Sequence, residues 1–388
     1  MFRTHSIIDS RRSVYTETLD IKEVYRTPGK AAVPFRITKR RLHSGLSDGV
    51  DILEVDNGTF SFTVLLSRGM GLWRGRCGDV ELKWDSPVQG PVHPRNVPLF
   101  NPNGVGWLEG FDEWIVRCGL NSNGAPEFDA NGVLKYPLHG RIANKPAREA
   151  SVAFDPDTGE IVVSGIVDEA ALFSGRMAVK VTYSTTVGSS RLHVRDEVIN
   201  LSSGSAEFEL LYHINTGFPF ITPGARIMVP FEKMTPRDVN AKANLDLWDQ
   251  YLPETPDSPE NCYLFDLAAD KEHNTRVLLI NAEQNRGISL SFNKKEFPHF
   301  LIWKLMRPNG DTYVTGIEPC VNFPNTRSFE KAHGRVVPLG PGESRVFNFN
   351  IEVLRSEKEL TAAQEQIRHL QTGAAGEIIA DPIPDWCE

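Results

Sequence analysis

Short segments of alternating polarity follow one another along most of the chain, and they constrain its fold more than any other feature. They are rich in Val, Ile, Phe and Thr, and Gly, Pro, Asn and Asp interrupt them at short intervals. The clearest are residues 51–67, 160–169, 175–188, 191–201, 276–282 and 344–354. Such alternation is typical of antiparallel strands with one buried face. The pattern therefore predicts an all-β fold, a large antiparallel β-sandwich with few short helices.

One segment, residues 356–371, has the sequence signature of a helix. Ser356 occupies the N-cap position and Glu359 follows three residues later, the arrangement of a capping box. Gly373 is placed to end the helix. The sequence therefore predicts a C-terminal helix followed by a tail over residues 372–388.

We expect a single domain over residues 1–388. Hydrophobic residues make up 40% of the 388, enough for one large domain or two ordinary ones, and no composition break marks a boundary. We expect the first 45 or so residues to form an extra layer on the main body. We expect a monomer or a homodimer.

Charge and cysteine usage exclude several classes of protein. The formal net charge is -8 and no basic run is present, which argues against nucleic-acid and membrane partners. No stretch approaches the roughly 20 apolar residues of a membrane helix, and the N-terminus lacks the apolar core of a secretory signal. The five cysteines form no CxxC pair, so neither a disulfide framework nor a zinc ribbon is indicated. We expect a cytoplasmic protein with free thiols.

Two polar residues interrupt the apolar stretch LLYHINTGFPF, residues 210–220. A strand here places Leu211, His213 and Asn215 on one face. The opposite face receives the apolar residues Phe208, Leu210, Tyr212 and Ile214. Buried polar groups are costly unless they are paired. His213 and Asn215 are therefore either a satisfied core pair or part of a binding site.

A hairpin is predicted around the turn at residues 308–311, PNGD. A two-residue turn at Asn-Gly fixes the register, so that Trp303 faces Gly316 and Leu301 faces Glu318. An aromatic ring over a glycine, beside a carboxylate, suits the C–H face and the hydroxyls of a sugar. The alternative is a tryptophan in the core and a glutamate on the surface.

Residues 85–147 are rich in Pro, Gly and Asn and are typical of long ordered loops, which often carry function. Within them, His139 precedes Gly140, and a glycine lets a neighbouring group approach a ligand closely. A turn histidine on the surface is the alternative. Glu109 and Asp112 either line the same cleft or belong to a surface loop.

Taken together, three motifs resemble those of the aldose 1-epimerase (galactose mutarotase-like) superfamily. They are Leu138-His139-Gly140, Tyr212-His213-Ile214-Asn215, and Ile317-Glu318-Pro319 with Pro324-Asn325. The stretches at residues 67–70, 84–87 and 117–120 resemble an uncharacterised, DUF4432-like subgroup. The sugar-binding Asp of galactose mutarotases has no clear counterpart, nor has the Arg before their His-Gly loop. Arg68, Arg117 or Arg141 could substitute for that Arg.

The resemblance implies a carbohydrate-active isomerase that interconverts sugar anomers by general acid–base catalysis, with no cofactor and no metal. It makes Glu318 the base on the O1 hydroxyl and His213 the acid at the ring oxygen. His139 would hydrogen-bond the ring oxygen or a neighbouring hydroxyl. The candidate contacts to the small-molecule sugar are Trp303, Asn215, Arg141, Asn325, Arg117 and Glu109. A lyase or epimerase on a modified or keto sugar, and a non-catalytic carbohydrate-binding protein, are the alternatives.

Overall fold

The computed structural model describes residues 1–26, 29, 31–173 and 175–388, and strands dominate them. Over these residues the strands are β1 (Arg3–Asp9), β2 (Val14–Tyr15), β3 (Leu19–Tyr25), β4 (Val33–Arg41), β5 (Asp51–Asp56), β6 (Phe60–Leu65), β7 (Leu72–Cys77), β8 (Val80–Leu82), β9 (Ile115–Leu120), β10 (Glu127–Phe128), β11 (Leu134–Tyr136), β12 (Ala147–Phe154), β13 (Glu160–Ala170), β14 (Arg176–Thr186), β15 (Arg191–Asn200), β16 (Ala206–Gly217), β17 (Arg226–Met228), β18 (Phe231–Pro236), β19 (Asn261–Leu267), β20 (Asn274–Ile280), β21 (Gly287–Asn293), β22 (His299–Met306), β23 (Tyr313–Cys320), β24 (Val337–Leu339), β25 (Ser344–Leu354) and β26 (Glu377–Ile378). The α-helices are α1 (Val239–Ala243), α2 (Arg327–Ala332) and α3 (Glu357–Thr372). The 3₁₀ helices are Gly45–Ser47, Pro94–Asn96, Gly106–Gly110, Ile142–Asn144 and Leu245–Leu247.

Two large sheets contain nearly all of these strands, which confirms the predicted all-β fold. In the described part of the chain, one sheet has ten strands in the order β17-β20-β21-β25-β15-β14-β13-β12-β1-β2. The other has 14, in the order β26-β18-β19-β22-β23-β16-β9-β7-β6-β5-β4-β3, with β24 beside β16 and β8 beside β7. Between the strands named above, pairing is antiparallel except where β26 runs parallel to β18. β10 and β11 form a separate ribbon.

The main core lies between the two sheets. Tyr212 of the larger sheet packs its ring 4.9 Å from that of Phe349 in the smaller sheet. Phe62 and Tyr183 meet across the same space, with ring centroids 6.2 Å apart. The larger sheet therefore has one face in this core and one face turned away from it, on which a second, smaller apolar cluster forms.

The predicted hairpin is present, with the predicted register. β22 and β23 pair so that Trp303 lies opposite Gly316 and Leu301 lies opposite Glu318. The turn is closed by hydrogen bonds from the backbone N–H of residues 311 and 312 to the carbonyl of Pro308. The predicted strand segments are also confirmed, and residues 51–67 form the hairpin of β5 and β6.

The N-terminal residues lengthen both sheets at their edges, which corrects the expectation of an extra layer. β1 pairs with β12 and β2 pairs with β1, at one edge of the ten-stranded sheet. β4 pairs with β5 and β3 pairs with β4, at one edge of the larger sheet. An exposed sheet edge offers unpaired backbone groups, and these strands satisfy them.

The C-terminal helix α3 begins at the predicted capping box, in which Ser356 accepts from the backbone of Glu359. The tail beyond it packs on the larger sheet. The indole ring of Trp386 lies 5.3 Å from the ring of Phe323, and Glu388 accepts a 2.9 Å hydrogen bond from the backbone of Thr326. None of the helices in the described residues has the length and apolar character needed to span a membrane.

Candidate functional site

A cavity of about 340 Å³ opens on the face of the larger sheet that is turned away from the main core. Its volume falls within the range of small-ligand pockets, about 300–1,000 Å³. Its lining comes from strands of the sheet, from the loops of residues 85–147 and from segments next to the ends of β18, β19 and β23: Trp107, Leu108, Phe111, Ala125, Pro126, Leu138, His139, His213, Arg237, Glu260, Cys262, Leu301, Trp303, Glu318 and Pro324. Most of this wall is apolar, and its few polar groups therefore decide its chemistry.

His213 and Glu318 are cross-strand neighbours at the floor of this cavity. The register of β16 and β23, in which Ile214 lies opposite Ile317, places them face to face. Nε2 of His213 is 3.3 Å from Oε1 of Glu318. A Cβ on Gly316 would lie only 2.4 Å from that same oxygen. Gly316, on β23 two residues before Glu318, therefore leaves the space that the pair occupies.

Asn215 fixes the orientation of the His213 ring. Its amide Nδ2 donates to the carbonyl oxygen of Glu113 at 2.9 Å, so its Oδ1 is the acceptor that faces Nδ1 of His213 at 2.5 Å. An amide oxygen can only accept, so Nδ1 of His213 carries the hydrogen. The Nε2 lone pair of the neutral ring is thereby directed toward Glu318.

Burial holds both members of the pair in their neutral forms. It lowers the pKa of His213 to about 3, with a smaller effect from His139. It raises the pKa of Glu318 well above its ordinary value, against the attraction of Arg237. Both shifts follow from desolvation, which disfavours the charged form of each group. Burial thus favours a pair with one transferable proton, on the carboxyl group, next to an imidazole that can receive it.

His139 stands beside this pair in a constrained backbone conformation. Its φ of 56° lies in the left-handed region, which non-glycine residues adopt mainly where the surroundings enforce it. Its Nδ1 lies 2.7 Å from the carbonyl oxygen of Asn123, so Nδ1 is the donor, and Nε2 has no hydrogen-bond partner among the described residues. Burial lowers the pKa of His139 to about 4. Its ring lies 5.6 Å from that of His213 and faces the same cavity.

Gly140 is required by the protein backbone itself. A Cβ there would lie 2.1 Å from the carbonyl oxygen of Ser122 and 2.4 Å from that of Gly119. The expectation was that this glycine makes room for a ligand. The structure gives a different reason for it: the backbone segments at Gly119 and Ser122 come so close to Gly140 that only a glycine fits, and they hold His139 in place.

Aromatic rings surround the imidazole of His213. Ring centroids of Phe111, Trp303 and Trp107 lie 5.0, 5.3 and 6.5 Å from it. Trp107 and Phe111 belong to residues 107–114, WLEGFDEW. In this segment the sequence indicates the acidic residues Glu109 and Asp112 as candidates, and not the aromatic ones. These rings account for the desolvation of the pair and supply flat apolar surfaces of the kind on which sugar rings stack.

Arg237 and Glu260 form the other polar part of the lining, and sequence reasoning missed both. Nη2 of Arg237 lies 2.5 Å from Oε1 of Glu260. Nε1 of Trp303 donates to Oε2 of Glu260 at 2.8 Å. The two residues lie outside the regular strands, just after β18 and just before β19. No local motif marks them, because they come together only through the order of strands in the sheet.

Most of the chain matches a known protein family. Residues 47–353 match the model of a family described as Domain of unknown function (DUF4432). The chain belongs to this family. Among curated proteins, none matches the chain.

Solved structures show the fold that the DUF4432 chain shares. A candidate aldose 1-epimerase from Klebsiella pneumoniae subsp. pneumoniae MGH 78578 is 27% identical, with a TM-score of 0.93 over 99% of each chain. A galactose mutarotase-like protein from Clostridium acetobutylicum is 16% identical, with a TM-score of 0.56 over 82% of this chain and 98% of that one. A candidate aldose 1-epimerase from Escherichia coli K12 is 13% identical, with a TM-score of 0.51 over 79% and 100%. The fold is therefore galactose mutarotase-like, as predicted.

Arg117, one of the candidate sugar contacts, lies on the wrong face of the DUF4432 sheet. Strand alternation turns its neighbours Val116 and Cys118 to the cavity side and Arg117 into the main core. There its guanidinium is fully buried and pairs with Asp196 of the other sheet. It also donates to the hydroxyl of Tyr183 at 2.9 Å. Arg117 therefore contributes to packing between the sheets and does not line the cavity.

Three other candidate contacts also lie outside the cavity lining. Arg141 pairs with Glu169 at 3.4 Å, and Glu109 is exposed to solvent. Asn325 is buried and donates to Glu330 at 2.7 Å, so that only its neighbour Pro324 reaches the cavity wall. The structure thus brings together His139, His213, Glu318 and Trp303, and places Asn215 directly behind His213.

Asp112 also lies away from the cavity of the DUF4432 chain. It is buried, and its Oδ2 accepts a 3.0 Å hydrogen bond from Nε1 of Trp73. Burial raises the pKa of Asp112 to about 8, and the nearby carboxylate of Glu113 contributes a smaller effect in the same direction. Within the described residues, no group of three or more His, Cys, Asp and Glu side chains is arranged to hold a metal ion.

Proposed function

We propose that this protein is a carbohydrate-active isomerase of the aldose 1-epimerase type, which interconverts the anomers of a sugar. The observation that carries the proposal is the contact between His213 and Glu318, two buried groups with one transferable proton between them. Mutarotation needs one site that removes a proton and one that supplies it. Similarity to structures named as candidate aldose 1-epimerases supports the same reaction.

The proposed reaction begins with transfer of the shared proton from Glu318 to His213. The Glu318 carboxylate then takes the proton of the O1 hydroxyl, while Nε2–H of His213 protonates the ring oxygen as the C1–O5 bond breaks. The open-chain aldehyde forms, and the pair is again a carboxylic acid beside a neutral imidazole. Rotation about C1–C2 and the reverse proton transfers close the ring with the opposite configuration at C1. Atoms and charge balance in each half of the reaction.

The neighbouring residues have distinct supporting parts in this proposal. Neutral His139 offers only the Nε2 lone pair, because its Nδ1–H is bound to Asn123. It therefore accepts a hydrogen bond from a sugar hydroxyl. Of the two contacts that the resemblance implied for His139, the ring oxygen or a neighbouring hydroxyl, this is the hydroxyl. Asn215 positions His213, and the ring of Trp303 stacks on the sugar.

The test measures the rate of exchange between anomers by saturation-transfer NMR, over a panel of aldoses, sugar acids and sugar phosphates. We expect acceleration with at least one sugar, and a loss of about 10²–10⁴-fold in Glu318→Gln and in His213→Ala, the range of general acid–base catalysis. Glu352→Gln removes a carboxylate of the opposite sheet, bound to Arg191 and Arg276, and serves as the matched control.

Other outcomes would assign other functions. Deuterium exchange from solvent into a substrate C–H bond, without anomer exchange, would identify proton abstraction from carbon by the same pair. Saturable sugar binding without either reaction would identify a binding protein. Wild-type rates in Glu318→Gln and His213→Ala would refute the proposed roles of the pair.

A further inference from the structure

The polar end of the cavity at Arg237 has an unusual balance of charge. Nε and Nη2 of Arg237 donate to Oδ2 of Asp238 at 3.0 and 2.9 Å, and Nη2 also donates to Glu260 at 2.5 Å. Among the described residues, Nη1 has no partner, and the side chain is 33% exposed. One guanidinium thus faces two carboxylates, and one of its donor groups remains available to a ligand.

Glu260 connects this end of the cavity to the aromatic wall. It accepts from Arg237 through one oxygen and from the indole of Trp303 through the other. Burial acts to raise the pKa of Glu260, but the charge of Arg237 and these hydrogen bonds bring it below its ordinary value. Glu260 is therefore ionised near neutral pH and holds both the guanidinium and the Trp303 ring in place.

Arg237 and Glu260 lie beyond Trp303 as seen from Glu318. Glu260 directly precedes β19 and Glu318 lies on β23, with β22 and Trp303 between them. The strand registers place Glu318 level with Leu264, four residues along β19 from Glu260, so the two polar ends are separated along the strands as well as across them. Both ends line the same cavity. A sugar that stacks on Trp303 with C1 at Glu318 thus directs an oxygen remote from C1 toward Arg237.

Resting on the proposed function, we propose that Nη1 of Arg237 recognises an uncharged oxygen at the end of the sugar remote from C1, and that the site selects neutral over anionic sugars. A carboxylate or phosphate there would be a third anionic group around a guanidinium that Asp238 and Glu260 already neutralise. Like charges placed together in an interface are strongly unfavourable. The other three arginines considered for the site, Arg68, Arg117 and Arg141, are paired elsewhere.

The test compares a neutral hexose with its uronic acid and its 6-phosphate, measured as kcat/KM for anomer exchange. We expect the wild type to favour the neutral sugar at least about tenfold. Glu260→Gln and Asp238→Asn each remove one negative charge, and both should narrow that ratio by raising the rates with anionic sugars. Arg237→Met should raise KM for the neutral sugar at least about tenfold and change kcat less.

Two features keep these variants interpretable. Asparagine at position 238 still provides the side-chain oxygen that caps α1, since Asn is a preferred N-cap residue. Asp79→Asn is the matched control, because Asp79 is bound by the guanidinium of Arg286 at 2.8 Å, outside the cavity lining. Thermal unfolding of each variant shows whether the fold is retained.

Failure of this inference is distinguishable from failure of the proposed function. If the wild type exchanges anomers but prefers the anionic sugars, or if Arg237→Met leaves KM unchanged, the role of Arg237 is wrong while the mutarotase function stands. Binding is measured in parallel by saturation-transfer difference NMR with the same sugars. Neutral-sugar binding that depends on Arg237, without anomer exchange, would support the recognition site and refute the catalytic function. No binding of any neutral sugar would overturn the inference.

Discussion

At the scale of single residues, Gly316 is a position where a substitution should affect the activity of the site much more than the stability of the fold. A Cβ at this position meets the end of the Glu318 side chain at 2.4 Å and the His213 ring at 2.9 Å. We expect Gly316→Ala to displace the carboxyl group and to reduce kcat/KM for anomer exchange at least tenfold. Because the Glu318 side chain can move, the free energy of unfolding should change by only about 1 kcal/mol.

The same hairpin provides the control for this change. Gly310 lies in the turn, and a Cβ there would have no neighbour within 4 Å. Gly310→Ala should leave both the exchange rate and the unfolding free energy near their wild-type values. A rate for Gly316→Ala that equals the rate for Gly310→Ala would show that the position of the carboxyl group is not critical.

A second prediction at the residue scale concerns pH. Burial lowers the pKa of His139 and His213 to about 4 and about 3, so both rings remain neutral until the pH falls well below the ordinary histidine range. The pH profile of kcat/KM should therefore show no step near pH 6.5. It should fall on the acid side, near pH 4, and also on the alkaline side, where Glu318, whose pKa burial raises, loses the shared proton. The groups facing His213 are Glu318 and His139, with Glu260 and Arg237 across the cavity.

Asn215→Asp is the informative variant for this pH profile. A carboxylate beside Nδ1 stabilises the imidazolium form, so the pKa of His213 should rise and a step should move toward neutral pH. Histidine ¹⁵N chemical shifts report the same change directly. A wild-type profile with a step at pH 6.5, or an Asn215→Asp profile identical to the wild type, would contradict this account of the pair.

At the scale of elements, the sequence was sufficient where the geometry is local. The period of two in β16 places His213 and Asn215 together, and the turn at residues 309–310 fixes the register of Glu318. Arg237 and Glu260 could not be predicted in this way, because the long connection between β18 and β19, residues 237–260, has no short turn that would fix the register of the two strands. The assignment of Arg117 to the site failed for a related reason, since the face of β9 follows from its pairing with β16.

The C-terminal tail is an element whose contribution to the site can be tested. Trp386 packs on Phe323, its carbonyl accepts from Asn325 at 2.9 Å, and Cys387 lies against the segment that leads to Arg237. Removal of residues 383–388 should loosen the walls at Pro324 and Arg237 while leaving β16 and β23 unchanged. We therefore expect a KM for the sugar that rises several-fold with a smaller change in kcat.

Trp386→Ala is the conservative form of this test. It removes the ring and retains the backbone contact to Asn325, so its effect on KM should be smaller than that of the truncation. A loss confined to kcat, with KM unchanged, would mean that the tail acts on the catalytic pair and not on the walls of the cavity.

At the scale of the whole molecule, the two sheets are joined by a buried ion pair as well as by apolar packing. Arg117 of the larger sheet pairs with Asp196 of the smaller one, and both side chains are fully buried. The hydroxyl of Tyr212 donates to Asp196 at 2.5 Å, and Arg117 donates to the carbonyl of Met70 at 3.1 Å. The polar atoms at the ends of the pair are thus satisfied, which is the condition for keeping charges in a core.

Breaking this pair from one side should be much more costly than removing it altogether. Asp196→Asn leaves the charge of Arg117 buried without its carboxylate, and we expect a loss of about 3–5 kcal/mol in the free energy of unfolding by urea. The double change Arg117→Met with Asp196→Leu removes both charges and should cost less than the single change. Asp79→Asn, at an exposed pair, should cost no more than about 1 kcal/mol. Equal losses in Asp196→Asn and Asp79→Asn would show that the buried pair does not hold the sheets together.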